Sequence, residues 1–191
     1  MGSEPAAAPV VVLDANLLYP FHLRNLFVQL GFDGIVGVRW TGRIHEEWMA
    51  ALAATGRVTR ERLVRTRDLM RAVLPGAEVT GWERHVPGVT LPDPDDRHVV
   101  AAAVAAGATA IVTFDLRDFP PGALGPYGLT AVHPDAFLCA LLDDDADAVL
   151  ASAAAAQANL SRSSPDVPAF AAALERGGLP LFAARLRGAG A

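Results

Sequence analysis

Short apolar runs rich in β-branched residues alternate along the chain with longer stretches whose apolar positions recur at helical spacing. The first run, PVVVL at 9–13, has the length and composition of a buried parallel strand. Five runs are predicted to be strands, the third of them weakly: 9–13, 35–38, 77–80, 109–113 and 129–132. Because strands that alternate with helices form βαβ crossovers, the pattern predicts an α/β fold with a parallel sheet.

Capping residues bound the predicted helices. The segment DPDD at 93–96 is the strongest start signal, since an Asp N-cap, a Pro at the first position and carboxylates in the first turn favour a helix N-terminus. Glycine favours a helix end at Gly31, Gly56 and Gly107. The predicted helices cover 17–30, 41–54, 59–74 and 93–106.

From Pro134 onward the pattern is helical to the end of the chain, with breaks at 161–168 and at Gly177-Gly178. Within the first break, the segment SSP at 163–165 predicts a boundary between two helices. The predicted organisation is a flexible N-terminus at 1–8, an α/β domain at 9–135 and a helical extension at 136–191.

Composition places the chain among packed globular proteins. Of its 191 residues, 52% are hydrophobic and 19% are charged, and no apolar stretch is long and uninterrupted enough to span a bilayer. The N-terminal residues lack the pattern of a secretory signal. The single cysteine, Cys139, excludes an intramolecular disulfide and a Cys-rich zinc site. The simplest expectation is a reduced, cytoplasmic setting without a membrane partner.

The basic residues exclude several classes of enzyme. All 16 are Arg, and the chain has no Lys. A P-loop NTPase, a protein kinase and a Schiff-base enzyme each need a Lys for phosphate binding or catalysis. The net charge of −5 argues against binding nucleic acid through a broad basic face. It is compatible with a nuclease that holds a metal ion with carboxylates.

Carboxylates lie next to the predicted carboxyl ends of the strands. In open α/β sheets these ends meet at one edge, where sites form. The acidic residues that the topology can bring to this edge are Asp14, Glu46, Glu47, Asp96, Asp115 and Asp118. Each alone has a generic interpretation as a turn, cap or solvated helix residue. Their joint placement at one edge is what indicates a site.

Crowded carboxylates indicate a metal site. They repel one another, so each has its pKa raised unless a cation neutralises the cluster. Mg²⁺ and Mn²⁺ prefer such hard oxygen ligands, and a bound ion lowers the pKa of a water and aligns a phosphodiester with it. The residues therefore predict metal-assisted phosphodiester hydrolysis, with one ion or two.

Four segments resemble the PIN domain family: VVLDANLLYP at 11–20, IHEEW at 44–48, LPDPDDRHVVAAAVAAGA at 91–108 and IVTFDLRDFP at 111–120. More narrowly, residues 9–135 are similar to the VapC-type ribonuclease toxins of bacterial toxin–antitoxin pairs. The C-terminal stretch resembles the helical extension of a longer VapC subgroup.

The resemblance implies a PIN-like three-layer α/β/α sandwich with a central parallel sheet, plus C-terminal helices. It implies a Mg²⁺- or Mn²⁺-dependent endoribonuclease that hydrolyses RNA as the toxin of a type II toxin–antitoxin system. The implied partners are an RNA substrate, a cognate antitoxin protein and a second copy of the chain in a homodimer.

The resemblance also assigns site residues. It implies catalytic roles for Asp14, Glu47, Asp96 and Asp115, metal binding by Asp14, Asp96, Asp115 and Asp118, and supporting roles for Asn16 and Thr113. Glu47 is preferred to Glu46 because the family spacing runs from an Ile three positions earlier, here Ile44. Asp115 and Asp118 both remain candidates for the fourth ligand.

Arginine and histidine residues are candidates for contact with RNA. The predicted substrate-binding residues are Arg43, Arg60 and His98. Six Arg lie between 57 and 71, which suits an RNA-binding face, a surface for an antitoxin, or a solvated helix paired to Glu61 and Asp68. Phe114 stands where the family often has a basic residue, so substrate is expected to be held differently there.

Two other functions stay open on the sequence. One is a catalytically weak PIN-like regulator that binds RNA or protein without cutting. The other is a small-molecule phosphatase with Asp14 as nucleophile. The lack of Lys disfavours the phosphatase, because such enzymes usually need a cation beside the phosphoaspartate.

Overall fold

The described residues form one four-stranded parallel sheet. In the computed structural model, which describes residues 8–160 and 166–189, the strands are β1 (Val10–Leu13), β2 (Gly37–Arg39), β3 (Ala110–Val112) and β4 (Thr130–Val132). Their order is β2-β1-β3-β4, and each neighbouring pair is parallel. The predicted α/β fold with a central parallel sheet is confirmed.

Helices flank the sheet and connect its strands. The described α-helices are α1 (Ala15–Leu18), α2 (Phe21–Phe32), α3 (Gly42–Ala54), α4 (Arg60–Val73), α5 (Arg97–Ala106), α6 (Pro121–Leu124), α7 (Pro134–Asp144), α8 (Ala146–Ala158), α9 (Val167–Arg176) and α10 (Pro180–Ala189). Short 3₁₀ segments lie at Trp82–Gly88, Pro94–Asp96 and Gly125–Tyr127. Consecutive strands are joined through helices, as parallel pairing requires.

Residues 77–80 do not form the predicted third strand. Glu78 makes a single bridge to Trp40, whose N–H and C=O bond to this segment at 3.0 and 2.8 Å. Pairing stops there because β2 has ended before Trp40 and α3 begins at Gly42. The segment therefore makes one β-bridge and is not the strand that the sequence predicts.

The predicted helix at 17–30 is two helices. α1 and α2 are separated at Pro20, which lacks the N–H that a continuous helix needs. α2 continues through Gly31, which the sequence predicts as a helix end. A Cβ at Gly31 would lie 2.8 Å from Val38 Cγ2, so glycine is needed there for close packing of α2 on β2.

Capping hydrogen bonds confirm two of the predicted helix starts. The Thr41 hydroxyl accepts the N–H of Ile44 at 3.1 Å and begins α3. The Asp93 carboxylate accepts the N–H of Asp95 at 2.8 Å, although the first turn is 3₁₀ and α5 follows it. Gly107 ends α5 in the left-handed conformation, with φ of 60°.

The C-terminal helices share the core of the α/β part. The rings of Phe27 in α2 and Phe137 in α7 stack with centroids 6.2 Å apart. Asn25 Nδ2 donates to the carbonyl oxygen of Ala156 in α8 at 2.6 Å. Residues on both sides of 135/136 pack in one core. The division between an α/β domain and a helical extension at this point therefore stays a prediction from the sequence.

Two predictions concern residues outside those that the structure describes. They are the flexible N-terminus, apart from its last residue, and the helix boundary at 163–165. No helix within 8–160 or 166–189 is long and apolar enough to cross a membrane.

A buried carboxylate ties α7 to α10. Asp135 is 4% exposed and accepts the N–H groups of Leu181 at 3.0 Å and Phe182 at 2.8 Å, in the first turn of α10. We expect Asp135→Ala to lower the free energy of unfolding by about 2 kcal/mol, because one buried and one partly buried N–H group lose a charged acceptor. Urea denaturation measures this change.

Asp143→Ala is the matched control for that variant. Asp143 forms an exposed ion pair with Arg185 at 2.6 Å, and such a pair contributes about 0–1 kcal/mol. Equal losses in the two variants would contradict the role assigned to Asp135.

Candidate active site

Asp14 lies at the carboxyl end of β1, where its backbone N–H still pairs with the carbonyl oxygen of Val112 in β3. The residue is 8% exposed. Oδ1 accepts the N–H of Ala15 at 2.7 Å, and Oδ2 accepts the Thr113 hydroxyl at 2.7 Å and Asn16 Nδ2 at 2.9 Å. The two central strands thus fix this carboxylate at the edge of the sheet.

Asn16 and Thr113 connect the carboxylate of Asp14 to that of Asp115. Asn16 Nδ2 lies 2.9 Å from Thr113 Oγ1 and 3.0 Å from Asp115 Oδ2. Thr113 Oγ1 also accepts the N–H of Asp115 at 3.1 Å. Asn16 Oδ1 accepts the N–H of Phe114 at 3.3 Å. These bonds hold the loop after β3 against the loop after β1.

Asp96 joins this group electrostatically. Its pKa is raised to about 6, first by partial burial and then by the negative charges of Asp14, Asp93 and Asp118. Burial also raises the pKa of Asp14, despite hydrogen bonds from Thr113 and Ala15 that lower it. The carboxylates that follow β1 and β3 therefore lie near Asp96, which ends the short 3₁₀ segment before α5.

Glu47 is held as an anion at the same site. Its Oε1 accepts His98 Nε2 at 2.9 Å and Arg43 Nε at 3.1 Å. Partial burial alone would raise the pKa of Glu47, but the bonds from His98 and Arg43 outweigh it and lower the pKa. The charge of Glu47 in turn contributes to the raised pKa of Asp14.

Glu46 faces a different helix. It pairs with Arg60 and, at 3.6 Å, with Arg67, both on α4. The neighbouring positions of Glu46 and Glu47 on α3 thus point to different partners, and Glu47 is the one beside the acidic group. Arg60, predicted to bind substrate, is half-exposed and forms an ion pair with Glu46, and its contact with substrate stays a prediction.

His98 was also predicted to bind substrate, and the structure buries it. The residue is 2% exposed, so its ring offers no surface to an RNA chain. Its Nε2 donates to Glu47, and its ring lies 6.0 Å from that of Trp82. Only Arg43 of the three predicted substrate residues is both half-exposed and bonded within the site.

Sequence reasoning missed the role of His98 as a partner of Glu47. Arg43 and Glu47 are four residues apart on α3, so the sequence spacing alone predicts their ion pair. His98 and Glu47 lie on different helices, and no spacing rule connects them. The bond could be found only after α3 and α5 were placed side by side.

The donor set fits a hard divalent cation. Within the described ranges, no three His, Cys, Asp or Glu side chains converge closely enough to enclose a metal ion by themselves. Mg²⁺ does not require that, since it usually keeps several waters and binds one or two carboxylates with substrate phosphate. Asp14 and Asp96, both with raised pKa values, are a pair of oxygen donors whose charge such an ion would compensate.

The raised pKa of Asp96 predicts a pH dependence of stability. Between its unfolded value of 3.8 and the folded value of about 6, the folded chain binds more protons than the unfolded chain. The free energy of unfolding therefore falls as pH rises through this window. We expect Asp96→Asn to be more stable than the wild type by about 1 kcal/mol at pH 7 in EDTA, after allowance for partial exposure.

Denaturation in urea at several pH values measures that difference. It should shrink as pH falls and vanish only about one pH unit below the unfolded pKa of 3.8, where the carboxyl group is protonated in both states. A difference that does not change between pH 4 and pH 7 would contradict the raised pKa.

Comparison with known proteins identifies the fold and its extension. The family model described as PIN domain matches residues 10–117, which is more than half of the chain, and the one described as VapC50 C-terminal domain matches residues 134–188. The chain therefore belongs to the PIN domain family. More particularly, it is a VapC-type PIN protein with a C-terminal extension, as the sequence motifs indicated.

One curated relative is named "Putative ribonuclease VapC50", from Mycobacterium tuberculosis (strain ATCC 25618 / H37Rv). It is 56% identical over 48 residues, which are 25% of this chain and 28% of that protein. The match thus spans little more than a quarter of the relative. No solved structure matches the chain.

Proposed function

We propose that the protein is a Mg²⁺- or Mn²⁺-dependent endoribonuclease and the toxin of a type II toxin–antitoxin pair in the cytoplasm. The observation that carries the proposal is the hydrogen-bonded group of Asp14, Asn16, Thr113 and Asp115, with the Asp96 carboxylate beside it. Membership of the PIN family and the name of the curated relative support it.

Asp14 and Asp96 are the side chains proposed to hold the ion. A bound divalent cation would lower the pKa of a water and offset the charge of the phosphodiester. Asn16 and Thr113 keep the Asp14 carboxylate in one orientation through Oδ2. Asp115 and Asp118 follow β3 on the same loop, and either can supply a further oxygen ligand to the ion.

Glu47 is proposed to orient the attacking water. Both of its side-chain bonds are made by Oε1, so Oε2 has no protein donor among the described residues. This oxygen can accept a hydrogen bond or a proton from water. Arg43, held between Glu47 and the carbonyl oxygen of Asp95, is placed to contact the phosphate backbone.

The geometry disfavours a phosphatase that uses Asp14 as nucleophile. Oδ1 of Asp14 is bonded to an N–H group, and Oδ2 is bonded to both a hydroxyl and an amide. These bonds stabilise the charge on both oxygens and reduce their reactivity. They suit a ligand that stays in place better than a group that attacks phosphorus.

Cleavage assays on the full purified chain test the proposal. We expect internal cuts in a labelled single-stranded RNA with Mg²⁺, no cuts in EDTA, and recovery when excess Mg²⁺ is restored. RNA that is bound but uncut with both Mg²⁺ and Mn²⁺ would replace the proposal by the non-cutting regulator. Hydrolysis of p-nitrophenyl phosphate without RNA cleavage would replace it by the phosphatase.

The toxin role needs a separate test. Induced expression of the chain in a bacterial host is expected to arrest growth, and co-expression of a small protein encoded beside it should relieve the arrest. Antitoxin binding and a homodimer are proposed partners on the same basis. Normal growth with a confirmed active nuclease would remove the toxin assignment and leave the ribonuclease.

A further inference from the structure

The turn between α9 and α10 contacts the loop that carries Asp115. Phe114 lies between Thr113 and Asp115, and its ring packs against Gly178 of that turn. We infer that the C-terminal helices act as a positioning element for this loop, with Phe114 and Gly178 as the contact through which they act. The inference rests on the proposed function of the acidic site. It adds that the C-terminal helices hold the loop of that site in place.

The contact at Gly178 requires glycine for two reasons. Its φ is 95°, a conformation that other residues adopt with strain. A Cβ at this position would also lie 2.7 Å from Phe114 Cε1 and 3.3 Å from its Cζ. The backbone of the turn therefore lies directly against the aromatic ring, with no room for another atom.

Phe114 cannot easily yield, because its other side is also occupied. Its ring meets the ring of His133 edge to face, with centroids 5.1 Å apart. His133 is itself fixed at the start of α7, where its Nδ1 accepts the N–H of Asp135 at 3.2 Å. The ring of Phe114 is thus held between the end of β4 and the α9–α10 turn.

The turn is fixed relative to the same elements. The Asp135 carboxylate holds the first turn of α10. A Cβ at Gly177 would lie 2.7 Å from Leu23 Cδ1, so the turn also lies close against α2. Contacts on both sides make the turn a fixed surface for Phe114.

The backbone of Phe114 belongs to the acidic site. Its N–H donates to Asn16 Oδ1 at 3.3 Å, and the next N–H, of Asp115, donates to Thr113 Oγ1 at 3.1 Å. A shift of the ring would move these groups and the Asp115 carboxylate with them. Misplacement of a reacting group by about 1 Å can cost about a hundredfold in rate.

Gly178→Ala in the full chain tests the contact, with Gly34→Ala as the matched control. Gly34 has a φ of 75°, so it carries the same backbone strain, but nothing lies within 4 Å of its added Cβ. We expect Gly178→Ala to lower kcat for RNA cleavage with Mg²⁺ at least about tenfold, with KM changed less than about twofold. Gly34→Ala should leave kcat within about twofold of the wild type.

Phe114→Ala completes the test as a double-mutant cycle. It is expected to lower kcat by a similar factor, and the double variant Phe114→Ala/Gly178→Ala should be no slower than the slower single variant. Multiplied losses in the double variant, or equal kcat in Gly178→Ala and Gly34→Ala, would overturn the inference. If Gly178→Ala fails to fold, Phe114→Ala tests the contact alone, and an unchanged kcat in that variant would overturn the inference.

Amide hydrogen exchange separates this inference from the proposed function. The N–H groups of Phe114 and Asp115 should exchange faster in Gly178→Ala than in Gly34→Ala or the wild type. This readout needs no RNA. If the wild type cuts no RNA but the exchange difference is found, the positioning role stands and the ribonuclease assignment fails. If exchange is unchanged in Gly178→Ala while the wild type cuts RNA, the ribonuclease assignment stands and the positioning role fails.

Discussion

Asp96→Asn is expected to reduce Mg²⁺-dependent RNA cleavage by at least about a thousandfold, because a neutral amide cannot balance the charge of the ion that we propose binds beside Asp14. The side chain keeps its size, and Asp96 makes no side-chain cap bond at the start of α5. Loss of its charge also removes the cost of burying that charge and its repulsion by Asp14, which together raise the pKa of Asp96 to about 6. The variant should therefore be inactive and yet at least as stable as the wild type.

Single-turnover cleavage rates and Mn²⁺ affinity measure the effect, and circular dichroism checks the fold. Asp95→Asn is the matched control, since it makes the same change in charge one position earlier on an exposed side chain. It should stay within about threefold of the wild type, as expected for a surface charge. Retention of more than a tenth of the wild-type rate by Asp96→Asn would contradict its role in metal binding.

Glu47→Gln has the second largest expected effect, a loss of about a hundredfold in kcat. Glutamine can still accept the bond from His98, so the packing of α3 against α5 should persist. The amide cannot take a proton from water, and it removes the anion that Arg43 and His98 stabilise. The rate with saturating RNA and Mg²⁺ is the quantity to measure, and KM should change little.

Glu46→Gln provides the control on the neighbouring residue. It changes the same functional group on the same helix, but Glu46 pairs with Arg60 and Arg67 on α4. We expect kcat within about twofold of the wild type and a small loss of stability, because exposed ion pairs contribute about 0–1 kcal/mol. If Glu46→Gln were the slower variant, the choice of Glu47 would be reversed.

Much of the fold could be predicted because its signals are local. The β-branched run that ends at Leu13 and the apolar run at 109–113 have strand composition, and both lie in the sheet as β1 and β3. Thr41 is a cap whose partner is three residues away. The failures have a different origin. Residues 77–80 have the composition of a strand, but α3 begins too early to leave them a partner.

The candidate site was predictable to the extent that topology determines it. Asp14 and Asp115 follow strands that lie side by side, so a parallel sheet brings them to one edge. Local spacing does not reach across helices, so it gave no sign that Arg60 pairs with Glu46 or that His98 is buried against Glu47. Their surroundings, an ion pair on α4 and a buried bond to Glu47, depend on how helices pack.

The acidic residues and their place at the carboxyl ends of the strands are determined by the sequence alone, and their oxygen atoms are donors of the kind that a hard cation prefers. Residue type fixes the oxygen donors, and the alternation of strands and helices fixes the edge where they meet. Only the tertiary structure turns Glu46 toward α4 and Glu47 toward the acidic group, buries His98 as the partner of Glu47, and sets Gly178 against Phe114. The physical reason is that these contacts join residues far apart in the chain, and their geometry is set by the packing of helices on one core.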